Sequence, residues 1–496
     1  MRREGPPNPP PWRYAAKAAP LLLALVAVAC SVGPRYQRPD AVAKMPSAYA
    51  SEPGQWKISE PRADSPKGPW WKVFNDPELN RLETEAASAN QEIKAAAARF
   101  GQARASADVA RSGLFPRIGA AFSATRQQDS ENRPLSTTGE AAGKAFTYDN
   151  YGVPFDASYE VDLWGRVRRQ LESARATQQA AAADLEGIKL SIAAEVAADY
   201  FTLRALDAEK KALEANIEAY RKALELTQNR RLAGLASDLD VAQAETVLNS
   251  AAALAPLLEQ SRLQFQHALA VLVGEPAPLF RLEERPLDAD PVSIAPGMPS
   301  TLLERRPDIA AAERRMASAN ASIGVAKSAF FPVVKLGGVA GFQSTQSGSL
   351  LSAPSRFWAV GPSLALPLFE GGQRRAGVRF AKARYEETVA AYRQTVLKAF
   401  AEVENNLAAQ RLLGEQYERE AAAYLSAKRQ LELAENRYRG GLASYLQVTP
   451  AQSAALVHER TLARLRGQRF VAAVALIKSL GGSWGENIEA PDSKGP

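Results

Sequence analysis

A single cysteine, Cys30, leaves no way to form an intramolecular disulfide and keeps one thiol free for another use. Histidine is nearly as scarce: there are two, His267 and His458, and "HERTL" at His458 lacks the second histidine of a zinc-hydrolase helix. No Walker loop, GxSxG turn or dinucleotide fingerprint appears, so neither an enzyme nor a cofactor is expected. Four methionines are too few for a dedicated thioether copper path. The net charge of +7 falls to +4 once the +3 of residues 1–29 (Arg2, Arg3, Arg13 and Lys17 against Glu4) is removed. That is too mild for a nucleic-acid partner in a chain of 496 residues. Beyond the N-terminus no run of about 18 apolar residues exists, which excludes a further helical membrane span. A mature chain that crossed a membrane would have to do so as strands of a closed barrel.

What is present begins with an address. A basic stretch followed by "AAPLLLALVAVAC" reads as a secretory signal over residues 1–29, ending at Cys30. The free thiol then reads either as a lipid-modified N-terminal cysteine or as an incidental residue. Ala27 stands where lipoprotein signals usually carry leucine, whereas Ser31 suits sorting to an outer membrane. Residues 30–77 are proline-studded and irregular, which suits an extended segment laid over a surface.

The remainder is written twice. "NRRLAGLASDLDV" (Asn229 to Val241) recurs as "NRYRGGLASYLQV" (Asn436 to Val448), and the offset of 436 − 229 = 207 pairs Gly234 with Gly441 and Ser237 with Ser444. The first repeat, 78–274, reads as a helix ending at Gly113, strands at about 114–126 and 148–163, a long helix over 165–231 and a return helix over 237–273. The second, 304–482, reads as a helix to Ser328, strands at about 330–343 and 356–369, a long helix over 372–439 and a return helix over 444–480. An irregular linker, 275–303, joins them, and a tail, 483–496, follows. "SGLFP" and "SAFFP" match at an offset of 216, so the first strand–loop–strand carries 216 − 207 = 9 additional residues in its loop.

Period-two alternation marks the strands. Phe155, Ala157, Tyr159, Val161 and Leu163 share one face and Asp156, Ser158, Glu160 and Asp162 the other, while Trp358, Val360, Pro362, Leu364, Leu366 and Leu368 line one face of the last strand. Apolar steps at Leu203, Leu206, Leu213, Ile217, Tyr220 and Leu224 have coiled-coil spacing. A helix of about 65 residues is about 100 Å long at 1.5 Å per residue, beyond the usual length in a compact globule. Four strands of membrane-spanning length cannot close a barrel alone, so the chain is expected to assemble with copies of itself; three copies give twelve strands. The helices then read either as a water-filled tube continuing the barrel or as a solid coiled-coil bundle.

"CSVGPRYQRP" at Cys30, "WWKVFNDPELNRLETEA" at Trp70, "SYEVDLWGRVRR" at Ser158, "LLERRPDIAAAERRMASANASIGVAKSAFFP" at Leu302, "VGPSLALPLFEGG" at Val360 and "SLGGSW" at Ser479 carry a resemblance covering the whole mature chain. The chain resembles the TolC-type outer-membrane factors, in the lipoprotein branch (OprM-like, NodT family) of resistance-nodulation-division efflux systems. That resemblance implies a mostly α fold with a small transmembrane β-barrel part: a homotrimer with a twelve-stranded barrel in the Gram-negative outer membrane, a long periplasmic α-helical barrel and a mixed equatorial belt. It implies a passive exit duct, lipid-anchored at Cys30, whose partners are a periplasmic membrane-fusion adaptor, an inner-membrane pump of that class and outer-membrane lipids. A type I-like secretion channel and a non-conducting coiled-coil envelope lipoprotein are the alternatives.

By the same resemblance, Gly234, Leu235, Ala236 and Ser237 and again Gly441, Leu442, Ala443 and Ser444 form adaptor-docking tips. Asp238, Asp240, Tyr438, Arg439 and Gln447 are gate candidates, with a link between Tyr438 and Asp240 on different hairpins. The spacings Ser237-x-x-Asp240 and Ser444-x-x-Gln447 are equally those of helix capping boxes. Asp156, Glu160 and Asp162 are expected to face the lumen, either biasing it towards cations or simply wetting it.

Overall fold

The structure, a computed structural model, describes residues 31–41, 69–131, 145–291 and 306–482. Cys30, the signal segment and the tail 483–496 lie outside the described residues, as does all of the linker after Pro291. In chain order the elements are α1 (Pro77–Ala89), α2 (Gln91–Ser112), β1 (Arg117–Ala120), β2 (Ser123–Asp129), β3 (Phe146–Val161), α3 (Arg166–Leu232), α4 (Asp238–Ala252), α5 (Leu254–Val273), α6 (Pro307–Ser328), β4 (Val333–Ser344), β5 (Arg356–Ala365), α7 (Gln373–Arg439) and α8 (Val448–Ser479). The two 67-residue helices, α3 and α7, are the same element of the two repeats.

The chain divides into two compact units. One contains residues 101–179 and 314–390 and holds the sheet. Its order is β1/β2, β3, β4, β5, antiparallel throughout, with β3 pairing β4 across the repeat boundary. Both β1 and β2 pair β3 in one register, Ala120 opposite Phe155 and Ser123 opposite Gly152, so they are one strand with a gap at Ala121 and Phe122. Pro154 causes the gap. Ala121 donates to the Pro154 carbonyl, but proline has no N–H with which to complete the pair. On the other side of Pro154 stands Gly341, where a Cβ would lie 2.2 Å from the Val153 carbonyl oxygen; any larger residue would force β4 away.

Register sorts the side chains into two faces. One face carries rows such as Ala120–Phe155–Ala340–Trp358 and Ile118–Ala157–Gly338–Val360, with Tyr159, Leu336 and Leu364 below them. The opposite face carries Arg117–Ser158–Gly337–Gly361 and Glu160–Lys335–Ser363. The alternation expected from sequence is therefore present, with shifted ends. The first strand reaches Asp129 rather than residue 126, and the last stops at Ala365 because Pro367 cannot continue a ladder, which leaves Leu366 and Leu368 beyond it.

The other unit, which includes 69–100, 180–291 and 391–482, is helical. Leu213 and Tyr220 of α3 pack against Val247, Ala251, Leu258 and Leu456, which places the coiled-coil stripe in a core. Two helices expected to be continuous are broken. Asn90 separates α1 from α2: its Oδ1 accepts from the Glu92 and Ile93 N–H groups and its amide donates to the Leu272 carbonyl, so it caps a new helix. The return helix 237–273 breaks at Ala253, because Pro256 has no N–H for the carbonyl of Ala252 and its ring crowds that carbonyl. In the second repeat the return helix 444–480 begins instead with a 3-10 turn, Tyr445–Gln447, before α8.

The irregular stretch 275–291 is strapped to this unit by its carbonyls. Arg262 donates to Leu282 O (2.8 Å), Arg204 to Glu283 O (2.6 Å) and Arg466 to Leu287 O (3.2 Å). Asp207, fully buried, holds Arg204 at 3.0 Å and Arg262 at 2.7 Å and accepts from the Arg285 N–H at 3.0 Å. Asp207→Ala leaves two buried guanidinium groups without their counter-charge. It is expected to destabilise the fold by about 3–5 kcal/mol. Thermal melting will show the loss, and limited proteolysis will show earlier cleavage within 275–291.

Candidate functional site

The two repeated sequence stretches become two helix tips of one geometry. At the end of α3, Gly234 (φ +74°) lets the Leu235 N–H donate back to Arg230 O at 2.8 Å and its own N–H to Arg231 O at 2.9 Å. At the end of α7, Gly441 (φ +73°) does the same with Leu442 to Arg437 O at 2.8 Å and Gly441 to Tyr438 O at 3.0 Å. Both are Schellman closures, and the positive φ is why glycine recurs. The closure turns leucines outward: Leu235 is 68% and Leu442 75% exposed, with Leu232, Leu239 and Leu446 exposed beside them.

After the turn the repeats diverge. Ser237 and Asp240 form a complete capping box, with Asp240 N–H donating to Ser237 Oγ (3.2 Å) and Ser237 N–H to Asp240 Oδ2 (2.9 Å). Ser444 makes no such cap, and Gln447, in the place of Asp240, is exposed. The capping-box spacing at Ser444 is thus corrected. The Tyr445 N–H that a local cap would leave in need of an acceptor donates instead to Asp240 Oδ1 at 3.1 Å. One carboxylate therefore serves the first turns of both return helices.

Tyr438 and Asp240 do not bond each other. The buried Tyr438 hydroxyl donates to Thr227 Oγ1 at 3.2 Å, its ring meets Tyr445 edge-on at 5.2 Å, and the Arg230 guanidinium lies 4.9 Å over it. Arg230 also donates to the Arg439 carbonyl at 3.0 Å, while the Arg439 side chain reaches only Glu435 on its own helix. Asp238 pairs with Arg231, both largely exposed. The two hairpins of one chain are thus tied at three points, Asp240 to Tyr445, Arg230 to Arg439 and Thr227 to Tyr438, around a small core of Ala244, Tyr438, Tyr445 and Val448. Sequence reasoning missed Arg230, Thr227 and Tyr445. Tyr445 stands where the offset of 207 places Asp238, so the replacement of an acid by an aromatic was the available signal.

Burial pushes the Asp240 carboxyl up, but hydrogen bonds from the Ser237 backbone and hydroxyl and from Tyr445, with the Arg230 charge, outweigh it and hold the group below its ordinary value. Burial pushes the Tyr445 hydroxyl up to about 12, so it stays neutral.

On the sheet, the three carboxylates separate. Glu160 binds Arg166 through both oxygens (2.8 and 2.6 Å), and Asp162, just past β3, accepts from the Val167 and Arg168 N–H groups at the start of α3. These two hold the strand-to-helix corner rather than standing free on the polar face. Asp156 is exposed opposite Gly119, and Arg117 and Lys335 share its face, so the face is balanced in charge rather than anionic. Among the described residues no group of three or more His, Cys, Asp or Glu is arranged to hold a metal. His458 Nδ1 meets Glu420 at 2.7 Å, and His267 is exposed. At the same corner Ser31 packs on Gly165, the Val32 N–H donates to Trp164 O at 3.0 Å, and Asn320 reaches Pro34 O.

The profile of the family described as "Outer membrane efflux protein" matches residues 82–275 and 298–482. The chain is 34% identical over 460 residues to the probable efflux pump outer membrane protein TtgC of Pseudomonas putida, covering 92% of this chain and 93% of that one. It is 34% identical over 436 residues to the pyoverdine export outer membrane protein OpmQ of Pseudomonas aeruginosa, covering 87% and 91%. Among solved structures, the outer-membrane channel OprN superposes with a TM-score of 0.82 at 33% identity, covering 92% of this chain and all of that one.

The tie at Asp240 makes an asymmetric prediction. With spin labels on Leu235→Cys and Leu442→Cys, Asp240→Ala is expected to lengthen and broaden the distance between tips, and Gln447→Ala to leave it unchanged. Because the folded pKa of Asp240 is depressed, its contribution is complete above the ordinary carboxylate value of about 3.9 and disappears as pH falls through the lower folded value. The distance is therefore expected to hold from pH 7 to 5 and to change only below about pH 4.

Proposed function

The chain belongs to the outer membrane efflux protein family, and from that premise we propose that it is the exit duct of a tripartite efflux system, closed by three copies and gated at its helix tips. It is an outer-membrane protein that passes substrate and consumes no energy. The carrying observation is the sheet. Its four antiparallel strands have one continuous apolar face and two unpaired edges, β1/β2 and β5. Lipid offers no donor or acceptor to such edges, so the sheet is complete only when another copy's edge pairs with each. Three copies bring the total to twelve strands, an even number in the range of outer-membrane barrels.

The tips fit the other end of the task. Leu235 and Leu442 stand outward on rigid closures and offer an apolar contact for a periplasmic adaptor, which an inner-membrane pump would load. Opening is a shift between tied and splayed hairpins, driven by an adaptor that binds the splayed state more tightly. Ser31 packs at the strand-to-helix corner where the apolar sheet begins, and that supports lipid attachment at Cys30. No catalytic step belongs to this function.

Two outcomes test the reading. Trimers reconstituted in planar bilayers are expected to conduct ions, with larger single-channel conductance in Asp240→Ala and Arg230→Ala; a non-conducting trimer overturns the proposal. On the apolar face, Val360→Arg is expected to disfavour the inserted state by about 2–4 kcal/mol. Ser158→Arg on the opposite face is expected to leave the yield of outer-membrane trimer unchanged.

A further inference from the structure

Within the helical unit a cavity of about 300 Å³ opens, walled by Trp70, Trp71, Ala86, Ile93, Leu190 and Ala193. Glu83 of α1 lines it. This side chain is 1% exposed, and its Oε1 has no hydrogen-bond partner. The other charged residues on the wall, Glu186 and Lys189, are already paired at 2.8 Å. Burial pushes the Glu83 carboxyl up to about 9, so it carries a proton at neutral pH while the cavity is empty.

We propose that this cavity binds a small lipophilic amine, its ammonium donating to Glu83 Oε1 and its hydrocarbon packed against Trp70, Trp71 and the apolar wall. The buried Glu83 Oε1 on the cavity wall has no donor, and an ammonium supplies three N–H groups and no acceptor. A carboxylate in an apolar setting is stable only beside an opposite charge, which the ammonium brings. The perpendicular rings of Trp70 and Trp71, 5.9 Å apart, add aromatic faces that attract a cation. An anionic amphiphile would set a further acceptor beside Glu83 Oε1 and meet no free cation on the wall, since Lys189 is engaged. As to size, an apolar cavity of about 150 Å³ accommodates benzene, so twice that volume admits one ring with a short aminoalkyl chain. The site is independent of the duct: it uses none of the sheet or tip residues.

The test uses the purified full-length protein in amphipol and three probes of matched shape, phenethylamine, phenylacetate and phenethyl alcohol, followed by calorimetry and saturation-transfer NMR. Phenethylamine is expected to bind best, and phenylacetate not at all. Glu83→Gln, which exchanges one neutral group for another of the same shape, is expected to keep the melting temperature and weaken phenethylamine at least tenfold. Trp71→Ala should weaken it without touching the carboxyl. Binding to the wild type should tighten as pH rises from 6 towards 9, because the site must lose its proton to take the cation, and Glu83→Gln should abolish that dependence. Equal binding of the three probes, unchanged affinity in Glu83→Gln, no phenethylamine binding at millimolar concentration, or a map with the cavity filled by the chain's own residues would each overturn the proposal.

Discussion

Every backbone N–H and C=O placed in hydrocarbon must find a partner within the protein, and the rest of this structure follows from how that demand is met. Four strands with an apolar face leave two edges unsatisfied, so assembly is a condition of insertion rather than an embellishment. The demand also bears on an interior defect of the described sheet. Pro154 removes a ladder donor, Gly341 lets its neighbour strand approach it closely, and the strand on its other side is interrupted without losing register.

The same accounting governs the helical unit. Asp207 and its arginines are buried because they bring carbonyl acceptors of an irregular segment under control. At the tips, the Schellman closures satisfy the last carbonyls of α3 and α7, and Asp240 supplies acceptors to two helix starts. These ties couple polar satisfaction to conformation: separating the hairpins would free the Tyr445 N–H and the Arg439 carbonyl for water or a partner.

Much of the fold was legible because it rests on periodicity and repetition. Strand faces around Phe155 and Trp358, the paired 67-residue helices and the glycine turns each have a sequence signature that context does not override. Boundaries were less legible. Helix breaks at Asn90 and Ala253 depend on one capping amide and one missing N–H inside otherwise helical runs, which periodicity passes over. The structure brings several of the tip candidates together, but not in the expected pair of Tyr438 with Asp240. Asp240 seeks a backbone donor on the other hairpin, and Tyr438 a threonine hydroxyl, neither of which leaves a trace in residue type. Glu160 and Asp162 were read by their strand parity. Proximity to a helix start and to Arg166 decides their role, and that is a three-dimensional fact.

Each repeat brings two strands and one tip, so in outline six repeats would form a ring of six-fold symmetry. Divergence after the glycine turns undoes that equivalence, since one tip of each chain carries its own serine cap and the other borrows its acceptor from the neighbour. In the proposed trimer, any ring of partners contacting all six tips would therefore meet two alternating classes of surface. It must either present two kinds of contact itself or engage the two classes with unequal strength, and a uniform hexameric collar cannot fit every position equally well.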